Sequence, residues 1–500
     1  KCSHFIIKTP AFQIYLGEQV LFYYYWTYFR FFLKTEFSLR ILKLNNLYFS
    51  ILYNCKSFLY TIDMYWWDTL YNVLNTINVV ILYVIGVPFF LQLIYMLLFW
   101  IPKKKFPKSD KINRIAIVIP AHNEEEVIFD TVKDVIDNQE YPRDMYDIYV
   151  IADNCTDNTI KLAKEAGATV IEHYDDDPKH HMVGYALKYG LKELLKYDET
   201  KHYDYMIRLD ADNHINKEFL SLMNDAYNAG CKIARPYESA TNMTQSAFTK
   251  ACGLYYIFDS RCSSRVRERL HLDAHVNGPG SLTDMNIIRR IDGYDTVTMC
   301  EDTEFNFKRM YEKIHPHFVE DAVVYEDLPS TLKDTLIRNK RLGHGNTVLL
   351  ARHTHKLWFY TFRNLNFSFL ENWLTYLFIP ICPILCLWLP GFYIYAYIYH
   401  WLGGDASFNQ TFLLWGGDWV TFTTALIIFC ISVLFAFCGI LQGTLMVLSD
   451  YKKMGAQKRR ELISGVLLFP VFSIVYVITI TIGIFSKPKW EHVKRNPQKK

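Results

Sequence analysis

Between residues 114 and 235, short β-branched apolar runs alternate with stretches of helical spacing, and this alternation constrains the fold more than any other feature. Residues 114–121 (RIAIVIPA), 147–153 (DIYVIAD), 169–172, 205–209 and 232–235 read as buried strands. Between them, Val127, Ile128, Val132, Val135 and Ile136 give 124–138 one apolar helical face, and 183–195 and 216–229 read as further helices. Thr156 or Asp157 can cap a helix that Gly167 ends, and Gly230 ends the one at 216–229. Strands alternating with helices predict an α/β fold, with a mostly parallel sheet covered on both faces. Such sheets bind ligands beyond the carboxyl ends of their strands. Polar motifs stand at three of those ends: Pro120 to Glu124, Asp153 to Asp157, and Asp210 to Asn213.

Outside this region the apolar residues are concentrated in four stretches, 69–102, 372–404, 419–449 and 462–486, which contain no Asp, Glu, Lys or Arg. A membrane crossing takes about 20 apolar residues, and each stretch is a predicted span, with 79–101 the core of the first. Lys103, Lys104, Lys105, Lys108 and Lys111 follow the first span, so the positive-inside rule puts the next segment in the cytoplasm. The connector 403–418 holds acids and no Lys or Arg, which suits the outside; 450–461, with Lys452, Lys453, Lys458, Arg459 and Arg460, suits the inside. Four plain crossings leave the basic tail outside, against the rule. Pro380, Pro383 and Pro390 make the second stretch the candidate for a re-entrant segment.

Trp358, Phe362, Leu365 and Phe369 recur at helical spacing among Arg352, Lys356 and Arg363. They predict an amphipathic helix lying on the cytoplasmic face, with an ordinary core helix as the alternative. The expected organisation has six parts. They are an uncertain extension over 1–63, a span over 69–102, a cytoplasmic α/β domain over 103–352, an interface helix over 353–371, a membrane region with about three spans over 372–486, and a basic tail over 487–500. Extra membrane association within 1–63 is the alternative for that extension. A net charge of +3 gives no argument for nucleic acid. In a cytoplasmic domain, Cys155, Cys231, Cys252, Cys262 and Cys300 are expected to be buried free thiols.

The polar motifs suggest a chemistry. Asp210 and Asp212, two carboxylates at a strand end, suit a hard divalent cation that bridges to a diphosphate; solvated loop acids are the alternative. Asp153 can accept hydrogen bonds from a base or ribose, or act as a turn residue. Asn123 and Glu124 can serve the same nucleotide or start a helix. Asn277-Gly-Pro-Gly280 is a tight turn that brings backbone close to a ligand. Glu301 and Asp302 open a helical run, where a carboxylate can be a general base or simply favour the helix dipole. Arg338, Lys340 and Arg341 can bind a diphosphate or anionic headgroups.

Together these motifs resemble the family 2 inverting glycosyltransferases, whose catalytic domain has the nucleotide-sugar-binding GT-A fold. The likeness is greatest to the membrane-bound branch that contains cellulose, chitin, hyaluronan and poly-N-acetylglucosamine synthases, and it covers about residues 112–350. PAHNEE at 120–125 is similar to the family's opening motif, and ADNCTDNT at 152–159 to its nucleotide-binding element, with Asp153 at the position that contacts uracil. LDAD at 209–212 matches the metal-binding motif, and CEDTEF at 300–305 matches the element that supplies the general base, Asp302. The resemblance implies a UDP-sugar donor, held by Pro120, Ala121, Asn123, Glu124, Asp153, Lys179, Asp210 and Arg341. It implies Mg²⁺ or Mn²⁺ on Asp210 and Asp212, and acceptor contacts from Gly278, Glu301, Arg338 and Leu342.

The implied partners are a saccharide or lipid acceptor and membrane lipids, at the plasma membrane, with no nucleic acid and an open oligomeric state. The implied rivals are single-sugar transfer to a polyprenyl phosphate and a catalytically inactive nucleotide-binding regulator. Two departures stand out. Where the processive synthases carry Gln-x-x-Arg-Trp, this chain has Arg338, Arg341 and Leu342, so the flat ring that stacks on the acceptor is missing. Lys179 lies in a stretch, Lys-His-His-Met-Val-Gly, unlike the relatives' Lys/Gly-rich one.

Overall fold

The computed structural model describes residues 94–177, 180–377 and 439–486, with further residues in 66–91 and 388–398. The chain divides into two compact units, Lys1–Thr76 with Ile394–Thr421, and Ile77–Tyr393 with Phe422–Lys500. The described residues of the first unit are helical; everything below concerns the second. The expected spans at 372–404 and 419–449 and the core 79–101 of the first span fall largely, and Lys179 and the tail 487–500 wholly, outside the described residues.

The domain is built in chain order from β1 (Ile115–Ala121), α1 (Ile128–Asn138), β2 (Tyr146–Asp153), α2 (Thr159–Ala166), β3 (Thr169–His173) and α3 (Val183–Lys201). There follow β4 (Tyr205–Arg208), β5 (His214–Ile215), α4 (Phe219–Asn228), β6 (Ile233–Ala240), α5 (Ala247–Phe258) and α6 (Arg265–Arg269). The last elements are β7 (Ser281–Asp284), α7 (Met285–Arg290), α8 (Glu301–Tyr311), β8 (Pro316–Glu326), α9 (Leu332–Asn364) and α10 (Ile463–Ile484).

The eight strands order as β3-β2-β1-β4-β7-β6-β8-β5. The first four are parallel, as the strand–helix alternation requires. Beyond β4 the expectation of a mostly parallel sheet needs correction. β7 runs antiparallel to β4 and β6, and β5 antiparallel to β8, while β6 and β8 pair in parallel. Between β6 and β7 the chain passes through α5 and α6, and β7 returns between β4 and β6 antiparallel to both, which makes the sheet mixed.

Ile115, Ile117 and Ile119 of β1 pack with Val132 and Val135 of α1 and Phe219 and Leu220 of α4. Ala116 and Val118 face the opposite way, with Leu187 and Leu191 of α3. The period-2 alternation thus buries both sides of the central strand. All five cysteines of the domain are buried free thiols.

The segment expected to be one interface helix over 353–371 divides between the end of the long α9 and a second helical stretch at 367–377. Leu365, at φ +48°, breaks the two apart. Trp358, Phe359, Phe362 and Leu365 are exposed, whereas Phe369 is buried. Residues 459–484 form a helix long and apolar enough to cross a membrane by length and composition. Its exposed residues Ile463, Leu467, Val471, Ile474, Ile478 and Ile482 fall three or four apart, making one apolar stripe. The other side of α10 packs on α9 through facing glycines. A Cβ on Gly343 would lie 2.4 Å from the Ile480 carbonyl oxygen, and one on Gly483 2.6 Å from that of Lys340. Asn339 Nδ2 donates to Thr479 Oγ1 across the same seam at 2.7 Å.

Candidate active site

The strand order places the carboxyl ends of β2, β1 and β4 side by side, and the register carries the rest of the site to the same edge. Ser281 pairs with Arg208, so the turn before β7 sits beside the end of β4. Ala240 pairs with Glu326, so β6 and β8 end together.

At the β1–β2 end, Asp153 is buried and its Oδ1 lies 2.7 Å from His173 Nδ1 on β3. The Asp153 carbonyl oxygen lies 2.6 Å from His122 Nδ1. Asn123 and Asn154 take left-handed conformations, φ +54° and +49°, which Asn tolerates better than most residues. Asn123 Oδ1 accepts from the Thr156 amide at 2.8 Å, and the Glu124 amide donates to Thr159 Oγ1 at 2.8 Å. The two loops that carry the predicted nucleotide contacts are thus tied to each other. Pro120 and Ala121 end β1 beneath them.

After β4 the chain turns through Asp210, Ala211 and Asp212. Asn213 Oδ1 accepts the Asp210 amide at 2.9 Å, and Thr131 Oγ1 of α1 donates to the Ala211 carbonyl at 2.7 Å. A cavity of about 1200 Å³ opens here, lined by Asp210, Gly278, Glu301, Asp302, Arg338, Arg341 and Leu342 among others. Seven of the predicted site residues therefore share one cavity. Pro120, Ala121, Asn123, Glu124, Asp153 and Asp212 stand outside its lining.

Asp302, in the first turn of α8, accepts the Gly278 amide at Oδ2 (2.9 Å) and the Thr303 amide at Oδ1 (2.7 Å). Both oxygens are thereby oriented by backbone. Glu301 beside it is buried and paired with Arg208 Nη2 at 2.9 Å; the same nitrogen lies 3.5 Å from Asp210 Oδ1. Burial pushes the Glu301 carboxyl up to about 7; Arg208 opposes the rise and neighbouring Asp302 adds to it. Burial works against the Arg208 charge, but Glu301 and then Asp210 outweigh it and hold the guanidinium protonated. A Cβ at Gly278 would meet Arg208 Cζ at 2.7 Å, so any other residue there would have to displace the paired guanidinium.

Arg208, which links the loop of Asp210 to the helix of Asp302, was missed in the sequence. The available signal was an arginine inside the apolar strand Tyr-Met-Ile-Arg, directly before the acidic motif. Glu238 and the tyrosines Tyr255, Tyr256, Tyr376 and Tyr476, which also line the cavity, were missed too.

Asp210 and Asp212 present hard oxygen donors in one turn, and among the described residues no cluster of three or more His, Cys, Asp or Glu side chains could hold a metal by itself. Glu326, on the cavity wall, is pushed up to about 8, first by burial and further by Glu238, Asp212 and Asp210, against the opposing pull of Arg338. This excess of negative charge fits a hard divalent cation that completes its shell with ligand oxygens and water.

Residues 113–345 match the family described as "Glycosyltransferase like family 2". The chain is 27% identical over 255 residues to the probable glycosyltransferase YdaM of Bacillus subtilis (strain 168), covering 48% of this chain and 57% of that protein. It is 20% identical over 254 residues to a probable glycosyltransferase of Sulfolobus acidocaldarius, covering 49% and 52%. The chain therefore spans a little over half the length of these curated relatives. Among solved structures, the mannosyltransferase PcManGT from Pyrobaculum calidifontis, in complex with GDP-Man and Mn²⁺, aligns with a TM-score of 0.48 at 13% identity, over 79% of this chain and 98% of its own. Residues 113–345, a little under half of the chain, are thus similar to a family 2 glycosyltransferase domain.

Proposed function

We propose that the chain is an inverting glycosyltransferase that moves a sugar from a UDP-sugar to a saccharide acceptor in surface polysaccharide synthesis, with UDP-GlcNAc and UDP-glucose the favoured donors. The observation that carries this reading is the shared cavity, where Asp210, Arg208, Glu301 and Asp302 meet at the carboxyl edge of the sheet. Asp153, Asn123 and Glu124 hold the nucleoside on the adjoining loops. Asp302 takes the proton from the acceptor hydroxyl, and its two amide partners aim it for that task. The acceptor oxygen bonds to the anomeric carbon from the face opposite the diphosphate, and the carbon–oxygen bond to the diphosphate breaks with its electron pair. Arg341, on the wall of the cavity, steadies the departing charge. A Mg²⁺ or Mn²⁺ ion held by Asp210 and Asp212 would neutralise the diphosphate.

The apolar stripe of α10 and the exposed Trp358, Phe359 and Phe362 support attachment to the plasma membrane with the catalytic domain in the cytoplasm. The test is a donor screen on membranes containing the full chain, reading nucleotide release. Mg²⁺- or Mn²⁺-dependent UDP release from UDP-GlcNAc or UDP-glucose is expected; release confined to GDP-mannose would overturn the donor assignment.

A further inference from the structure

Beyond Asp302 the cavity wall carries a polar pair, a buried Glu238 and a half-buried Asn277, for which the transfer step described above has no use. Glu238 lies within β6 and is buried, yet it lines the cavity together with Asn277. Asn277 Nδ2 donates to both carboxylate oxygens of Glu238, at 2.8 and 2.9 Å. Behind them, Arg235 Nη2 lies 2.9 Å from Glu238 Oε1, and Arg235 Nη1 reaches Asp259 at 2.9 Å. The pair is joined to the chemistry by one peptide, since Asn277 precedes Gly278 and the Gly278 amide holds Asp302. A hydroxyl group giving its proton to Asp302 therefore has the Glu238–Asn277 pair as its neighbour along the wall.

Keeping a carboxylate this deep is costly unless its remaining lone pairs find donors. The Asn277 carbonyl oxygen and the Glu238 oxygens are acceptors set beside one another, an arrangement that suits hydroxyl donors. A phosphate group is the wrong ligand here. Glu238 and Asp259 stand together at this pair, and Arg235 beside them already faces both. Tyr255 and Tyr256 also line this cavity, and a ring face of that kind can pack against a sugar ring.

We infer that Glu238 and Asn277 form an acceptor subsite that reads a second hydroxyl next to the attacking one, so that the acceptor is a saccharide and not a polyprenyl phosphate. This rests on the glycosyltransferase reading above and names the residues that select its acceptor. The test uses the full chain in detergent with a radiolabelled UDP-sugar. Two kinds of acceptor probe are offered, namely cello-, chito- and manno-pentaose, and undecaprenyl phosphate in phosphatidylcholine–phosphatidylglycerol vesicles. Label is expected in an oligosaccharide product. Glu238→Gln, which keeps the shape and leaves Asp259 to face Arg235, should raise the pentaose KM about 10-fold or more, the loss expected for one hydrogen bond to a charged group.

The change in kcat should be much smaller, and Asn277→Ala should act in the same direction. Thermal melting and UDP affinity report whether each variant is folded. Label passing only into the organic-extractable lipid, or a KM that neither substitution moves, overturns the subsite. If UDP is released but no pentaose is glycosylated, the subsite also fails. Absence of any donor turnover would instead strike the glycosyltransferase reading itself.

Discussion

Gly278→Ala is the most demanding small perturbation the site offers. The added Cβ would stand 2.7 Å from Arg208 Cζ, 2.8 Å from Nη2 and 3.0 Å from Nη1. Ordinary carbon contacts are about 3.5–4.0 Å, so the guanidinium must retreat by about 1 Å. It is buried between Asp210 and Glu301, and the 2.9 Å contact to Glu301 would open to about 4 Å, beyond hydrogen-bonding range. Losing one charge-assisted hydrogen bond in a buried setting costs about 1.5–3 kcal/mol.

The same shift moves the amide that orients Asp302, and a 1 Å misplacement of a reacting group costs about 100-fold in rate. The variant should therefore melt earlier by several degrees and transfer sugar about 100-fold more slowly. Donor transfer under saturating substrate and a thermal melt in detergent measure the two effects. Removing the obstruction with Arg208→Ala in the Gly278→Ala background should cost less than the sum of the two single changes. Wild-type melting and wild-type transfer in Gly278→Ala would refute the reasoning, because the guanidinium would then not be fixed where the carboxylates hold it.

Three further outcomes follow from the geometry. Asp212→Ala should make UDP binding insensitive to Mg²⁺ and Mn²⁺ in a titration; retained metal dependence would count against the cation site. The folded Glu301 carboxyl titrates at about 7 rather than 4.5, so the folded state binds its proton more tightly and stability is lost as pH rises through that window. Measured in EDTA, Glu301→Gln should therefore gain about 3 kcal/mol relative to wild type between pH 4.5 and pH 8, and parallel stability curves would contradict it. Gly483→Ala should push α10 off the Lys340 backbone, since its Cβ would lie 2.6 Å from that carbonyl oxygen. A loss of about 1–3 kcal/mol from overpacking is expected, with reduced transfer because Arg341 and Leu342 stand on α9 next to the seam that the added Cβ forces apart.

Much of the parallel half of the fold was legible because its signals are local. β1 is an unbroken apolar run, β2 and β4 are apolar but for Asp147, the terminal Asp153 and Arg208, and each leads into the polar residues that the sheet then gathers at one edge. β7 and β8 were not legible. β7 is four residues long, and β8 carries Glu320 and Asp321 in its middle, so neither shows a clean apolar period. Glu320 is accommodated there by its ion pair with Arg265, a partner 55 residues away. The sequence reading of β6 covers only 232–235. The strand continues to Ala240 with an irregularity at Pro236/Tyr237, and that continuation is what brings Glu238 to the cavity.

The site shows the same division. Asp210, Glu301 and Asp302 announce themselves by spacing at element ends. Arg208 acquires its role only when β7 folds back and sets Gly278 against it. The missing ring at Leu342 could be read from the sequence, but not that Tyr255 from α5 and Tyr476 from α10 line the same cavity, their ring centroids 4.9 Å apart.

The central claim is that Asp302 removes the acceptor proton in a cavity shared with Asp210. Asp302→Asn keeps the size of the side chain and an oxygen for the Gly278 amide, but it cannot take up the proton. Transfer from radiolabelled UDP-sugar, measured alongside UDP affinity, tests this directly. The account predicts near-normal UDP binding with transfer reduced at least about 100-fold; turnover equal to wild type would contradict it.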